Sequence, residues 1–221
     1  MPSVALDMSR MMERTDSVDK VIKIMAGAFT FLSTTNSLQR ERYALSARHL
    51  TEMRSVLRLS RLFGLTLKLQ SLMEVFMAQG FAWTERKKFL EFFKTVCDVL
   101  YVVGDHALLI AREGLLGKDI YAAHLQNCTF TMQLFGHVSG AVFYVLELLD
   151  AARKRNYDPP AALRACKLAA VSATREAIDT AVTLSICNYS SSACLLSTRA
   201  SGALRCLSGI LSLYVNSQAN A

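Results

Sequence analysis

Asp105 and His106 stand side by side, and a carboxylate next to an imidazole is the pairing from which general acid–base catalysts are built. They lie within an apolar helical pattern, where an adjacent polar pair is more often a satisfied core contact than a catalytic dyad. His124 and His137 with Cys128 lack any metal-ligand spacing, and no phosphate-binding Walker loop, GxGxxG or GxSxG run occurs. The six cysteines, Cys97, Cys128, Cys166, Cys187, Cys194 and Cys206, form no CxxC pair and read as reduced, mostly buried thiols. No catalytic residue, no metal and no cofactor is expected, and the chain does not read as an enzyme.

The chemistry that the residue types do offer is electrostatic. The chain carries a net charge of +7. Between Gln39 and Leu72 seven basic residues (Arg40, Arg42, Arg48, Arg54, Arg58, Arg61, Lys68) face two acidic ones, Glu41 and Glu52. They are interleaved with Leu, Met, Val and Phe and not with stacking aromatics or base-reading amides, which favours an anionic lipid surface over nucleic acid. On a helical wheel Arg54, Arg58, Arg61 and Lys68 fall in one narrow stripe, with Val56, Leu59, Phe63 and Leu67 opposite. That is the layout of a helix lying in a membrane interface, with arginines toward phosphate and Leu57, Leu59, Phe63 and Leu67 in the acyl boundary. The same pattern suits a bundle helix with one solvated face, and periodicity alone does not separate the two. Leu65 and Leu72 lie on the basic stripe, so part of that face is expected to pack against neighbouring helices.

The elements that must carry these residues are helices. Only three prolines occur and the ten glycines are scattered, so long helices run without breakers. Spacing predicts a first helix over 16–33, capped at Thr15 and Asp16, and a polar break at 34–37. A second helix follows to Gln79, and a third over 84–113 closes at Gly114. A fourth runs from Lys118 to about Asn156. Beyond Pro159–Pro160 an alanine-rich helix reaches Cys187, and a last hydrophobic one ends near Tyr214. The third helix's stripe of Phe89, Phe92, Phe93, Val96, Val99, Leu100, Val103 and Leu108 reads as core. The uncharged window from Ile120 to Leu146 exceeds the roughly 20 residues a membrane span needs, but polar residues dilute it. Gly136 and Gly140 give a GxxxG spacing through which another membrane helix can approach. Arg205 and Arg199 interrupt the hydrophobic end. The expected fold is all-α: a bundle of about six long helices with one amphipathic membrane-surface helix and one or two hydrophobic membrane-associated segments in the C-terminal half. The expected division is an N-terminal amphipathic region, 1–116, and a hydrophobic region, 117–221, broken at 157–160. The first twenty residues hold no apolar run of the kind a secretory leader has, so the N-terminus is expected in the cytosol.

Four segments, in order along nearly the whole chain, resemble the peroxisomal membrane proliferation family, peroxin eleven. Thr15-Asp16-Ser17-Val18-Asp19-Lys20 is similar to that family's T-D-G-R-D-K, departing at Ser17 and Val18. Arg54-Ser55-Val56-Leu57-Arg58-Leu59-Ser60-Arg61 resembles its R-K-x-F-R-L-G-K, with Ser55 and Ser60 as departures. The stretch from Tyr101 to Asp105 followed by Gly114-Leu115-Leu116, and the terminal Ser208 to Tyr214, resemble its Tyr-to-Asp, Gly-Leu-Leu and hydrophobic C-terminal segments. The resemblance implies a divergent member in a peroxisomal or, in a kinetoplastid relative, glycosomal membrane. It implies a homo-oligomer that elongates the membrane before division, with anionic lipids, a membrane-protein import receptor and the division machinery as partners. A pore or metabolite channel of the same membrane, and a soluble helical adaptor, are the alternative readings.

Overall fold

The computed structural model describes residues 2–79, 86–112, 114, 122–154, 158–187 and 196–219, with side chains from Thr15 onward. Helix α1 is Pro2–Thr35, α2 Arg40–Gln79, α3 Arg86–Arg112, α4 Ala122–Arg153, α5 Pro159–Ile186 and α6 Thr198–Ala219, with a 3-10 turn at Ser37–Gln39. The described residues contain no strand. The punctuation is local chemistry. Asn36 leaves the helical region (φ −114°, ψ 102°) and separates α1 from α2. Gly114 takes a left-handed φ of 75°, which only glycine adopts without a Cβ clash, and donates its N–H to the Ala111 carbonyl at 3.2 Å. Asp158 caps α5 by accepting from the Ala161 amide at 3.2 Å; Pro159 and Pro160 occupy the first turn, where no intrahelical donor is needed.

The first helix begins earlier than its spacing predicts. Thr15 and Asp16 lie in its interior and not at its start; Asp16 pairs with Lys20 one turn on, at 2.9 Å, and accepts from Asn216 of α6 at 2.9 Å. The division expected after residue 116 falls between α3 and α4, outside the described residues, as do Leu115, Leu116 and Cys194.

The helices close into a ring. Each packs on its two neighbours in sequence, and α6 returns to pack on α1. The α1–α6 seam is the tightest, and small residues make it so. A Cβ on Gly27 would lie 2.7 Å from the Cys206 backbone nitrogen, and one on Gly202 the same distance from that of Phe31. The two backbones therefore touch directly, the close approach that small residues permit between membrane helices. Gly136 and Gly140, read as a docking spacing for another membrane helix, face neighbours within the ring: Gly136 makes room for Asp98 and Cys97 of α3, Gly140 for Glu176 of α5.

Polarity in this ring is inverted. Among the described residues thirteen polar or charged side chains are buried, among them Asp19, Arg58, Glu176 and Asp179, against twelve apolar ones that include five alanines. The large apolar residues point out: Val18, Val21 and Met25 on α1, Leu100, Val103 and Ile110 on α3, Val138, Val142 and Val145 on α4, Leu207 and Ile210 on α6. The stripe on α3 expected to form core is divided: Leu108 is buried and Phe92, Val96 and Val99 are half-buried, while Phe89, Phe93, Leu100 and Val103 are exposed on this outer surface. Helical spacing had shown one apolar face on α3 without showing which way it turns. Among the described residues only α4 is apolar enough along its length to cross a membrane (mean hydropathy 1.3), and just 17% of its most apolar stretch is buried in the bundle. A core helix of a water-soluble protein would be mostly buried.

Candidate functional site

The interior is built from one polar stripe per helix. On α1, Asp16, Asp19, Lys20 and Lys23 recur at the three- and four-residue spacing that stacks side chains on one face. Arg54, Arg58, Arg61, Leu65 and Lys68 do the same on α2, and Lys94, Asp98, Tyr101 and Asp105 on α3. The basic stripe of α2 thus faces into the ring at Arg54 and Arg58 and opens outward at Arg61 and Lys68. Leu65 is buried on that stripe, as the wheel implied. The physical reason is the set of carboxylates on α1 and α3, which compensate these guanidinium groups where a lipid headgroup would otherwise be needed.

Arg58, only 6% exposed, donates from Nη1 to Asp105 Oδ2 at 2.9 Å and to the Tyr101 hydroxyl. Arg54 donates from Nε to Asp19 Oδ1 at 2.9 Å. Lys20 and Arg58 also approach Asp19, at 3.6 and 4.0 Å, so one carboxylate serves three cations. Arg58 Nε is buried with no hydrogen-bond partner. The cluster draws together Asp19, Lys20, Arg54, Arg58, Tyr101 and Asp105, residues from three of the separate segments singled out in the sequence. Thr15 and Asp16 lie on the preceding turn of α1, while Gly114 lies past the end of α3 and serves its termination.

A second cluster holds α3, α4 and α5 together. Glu176, 2% exposed, takes His137 Nδ1 at 2.7 Å, Arg175 at 2.6 Å and Lys94 at 3.6 Å. Lys23 of α1 reaches both oxygens of Asp179 on α5 at 2.8 Å and the Ser208 hydroxyl of α6 at 2.7 Å. Of these groups, His137 was weighed in the sequence only as a metal ligand and Ser208 only within the terminal segment; Lys23, Lys94, Arg175, Glu176 and Asp179 were not singled out. The signal for them is an ionisable residue inside an otherwise small or apolar helix, such as Glu176 and Asp179 in the alanine-rich α5, which in a membrane setting marks a functional interior. Arg205, read only as an interruption of a hydrophobic end, belongs to the same interior.

Arg61 and Lys68 sit where the stripe opens outward. Their side chains remain about half exposed, with Asp98 at 3.9 Å from Arg61 and Glu91 at 2.7 Å from Lys68. On the opposite face of α2, Val56, Leu59, Phe63 and Leu67 are 58, 49, 61 and 63% exposed, while Leu57 is half-buried. Between the stripes lies a cavity of about 440 Å³.

Asp105 and His106 form no dyad. The carboxylate is taken by Arg58, and His106 Nδ1 is bonded to the Val102 carbonyl of its own helix at 2.7 Å. Among the described residues no three His, Cys, Asp or Glu side chains come together as a metal site. Cys97 and Cys187 are buried, Cys128 is exposed, and Cys166 and Cys206 are half-buried, all as free thiols. What the arrangement can do chemically is hold charge, with cations in excess, inside a ring that turns its large apolar side chains outward. No known protein family, curated protein or solved structure matches the chain.

Proposed function

We propose that this chain is a membrane-embedded protein of the peroxisome type whose six-helix ring provides a polar route or binding cavity inside the bilayer, a pore or metabolite channel. The observation that carries this reading is the inverted polarity: apolar faces outward on every helix, and a charged cavity within. In water such a surface would expose far more contiguous apolar area than a monomeric soluble protein tolerates. In lipid the outer faces are solvated by acyl chains, and ionisable groups turn to the bundle interior. Even α6, with 22 residues, extends about 33 Å at the helical rise, close to the roughly 30 Å hydrocarbon core. Among the described residues α4 alone is apolar along its whole length, because each other helix combines a charged inner face with an apolar outer one. The peroxisomal, or glycosomal, location rests on the resemblance of the four sequence segments. Alkaline carbonate treatment of membranes carrying the full chain tests the embedding: retention in the pellet supports it, and release into the supernatant defeats it.

A second reading keeps the ring in the membrane and gives it the task of elongating that membrane before division, as a homo-oligomer working with the division machinery and delivered by the membrane-protein import receptor. The outward row of Val56, Leu59, Phe63 and Leu67 favours it, since it is continuous, apolar and open to lipid or to a second copy. Here the lever is that row and not the arginines. Phe63→Asp is expected to reduce organelle elongation in cells while leaving the interior ion pairs intact. Unchanged organelle shape at equal protein level would sink this reading.

A further inference from the structure

The cavity holds more cations than its own carboxylates can serve. Its lining includes ten Lys or Arg side chains and six Asp or Glu. The carboxylates are already shared: Asp19 among Arg54, Lys20 and Arg58, and Glu176 among His137, Arg175 and Lys94. Arg205 has no ion pair or hydrogen bond among the described residues, and it lies within electrostatic reach of Arg54, Tyr101 and Asp179. Arg112, also on the cavity lining, likewise has no ion pair among the described residues. A half-buried guanidinium without a partner, beside a second guanidinium, is a costly arrangement unless an anion completes it.

We propose that the cavity is a binding site for a small soluble oxyanion, a phosphate group or a metabolite bearing one, with Arg205 and Arg54 as the central ligands and Arg61 at the mouth. The guanidinium is the side chain suited to this chemistry, since its planar fork donates two parallel hydrogen bonds to one oxyanion, which an ammonium cannot do. The volume of about 440 Å³ accommodates a small organic phosphate as well as the inorganic ion. Cations at the mouth raise the local concentration of anions and steer them inward. The assignment of this anion as the solute of the passage rests on the membrane-embedded reading above; the site itself rests on the cavity.

The test uses the full chain purified in neutral detergent. Thermal unfolding is followed against inorganic phosphate, with chloride at matched ionic strength as the reference. Binding to the folded state raises the unfolding temperature saturably. The wild type is expected to be stabilised by phosphate and not by chloride. Arg205→Gln is expected to raise the half-saturating phosphate at least ten-fold, Arg205→Lys to recover part of the loss, and Arg61→Gln to weaken binding to a smaller degree. Lys167→Gln, an exposed position of α5 outside the cavity, is expected to change nothing. Without phosphate, Arg205→Gln should unfold no earlier than wild type, because it removes an uncompensated charge; this guards against a mere folding defect. Equal half-saturation in wild type, Arg205→Gln and Arg61→Gln, or no stabilisation by phosphate, overturns the site. A parallel titration with short-chain phosphatidic acid against phosphatidylcholine separates the sources. Response to phosphatidic acid alone would make the occupant a lipid headgroup and overturn the soluble anion. Release of the chain by carbonate would defeat the passage reading, while the phosphate titration still decides the site.

Discussion

Arg58 shows what a single side chain does in this molecule. It is buried, bonded to Asp105 and Tyr101, and shares Asp19 with Arg54 and Lys20. Removing one partner of a buried charge set leaves the others uncompensated, which costs about 3–5 kcal/mol. Arg58→Leu is therefore expected to lower the unfolding free energy by about that amount in detergent, read by thermal or denaturant unfolding. Val56→Ala on the same helix, facing out, should lie within about 0.5 kcal/mol of wild type. A lipid-facing arginine would give the reverse ranking. The sequence identified Arg58, Tyr101 and Asp105 individually but not their meeting, because a helical wheel separates two faces and does not say which is inside. Lys23, Glu176 and Asp179 escaped notice for a related reason: their partners lie on other helices, so each acquires meaning only across helices.

At the level of elements, the helix ends were legible because their chemistry is local. Asn36, Gly114 and Pro159–Pro160 lie where the chain turns, and the six helices follow. The α1 start was missed because Thr15-Asp16 resembles a cap, whereas the helix runs through it and uses Asp16 for Lys20 and Asn216. Packing between elements was not legible, and the α1–α6 seam is the clearest case. Gly27 and Gly202 are 175 residues apart in sequence, yet their backbones touch, with Gly27 O 2.9 Å from the Cβ that Gly202 would gain. Gly202→Leu is expected to separate α6 from α1 and to lower the unfolding temperature by far more than Gly114→Ala. The latter places a Cβ in open space and meets only a left-handed backbone cost of about 1–2 kcal/mol. Similar melting losses for the two variants would argue against a seam held by backbone contact.

The whole molecule is a ring with a charged interior, lined by ten basic and six acidic side chains, and that global fact explains both what composition suggested and what hydropathy hid. A mean hydropathy of +0.26 is modest because interior charges offset outer leucines, valines and phenylalanines. If lipid covers that outer surface, a charge placed on it opposes insertion by roughly 2.5 to 3.5 kcal/mol at mid-bilayer. Val142→Asp on α4 is accordingly expected to shift the chain from the carbonate-resistant pellet toward the soluble or degraded fraction, while His137→Gln, facing Glu176, should leave membrane retention unchanged. The most direct test is power-saturation electron paramagnetic resonance on the chain reconstituted in liposomes, with spin labels placed singly at Phe63, Leu100, Val142 and Leu207 in a background free of native cysteines. Lipid-facing positions will relax with oxygen and resist a water-soluble nickel complex at all four sites. Nickel access equal to or greater than oxygen access at those sites would contradict a ring that turns its apolar faces to the bilayer.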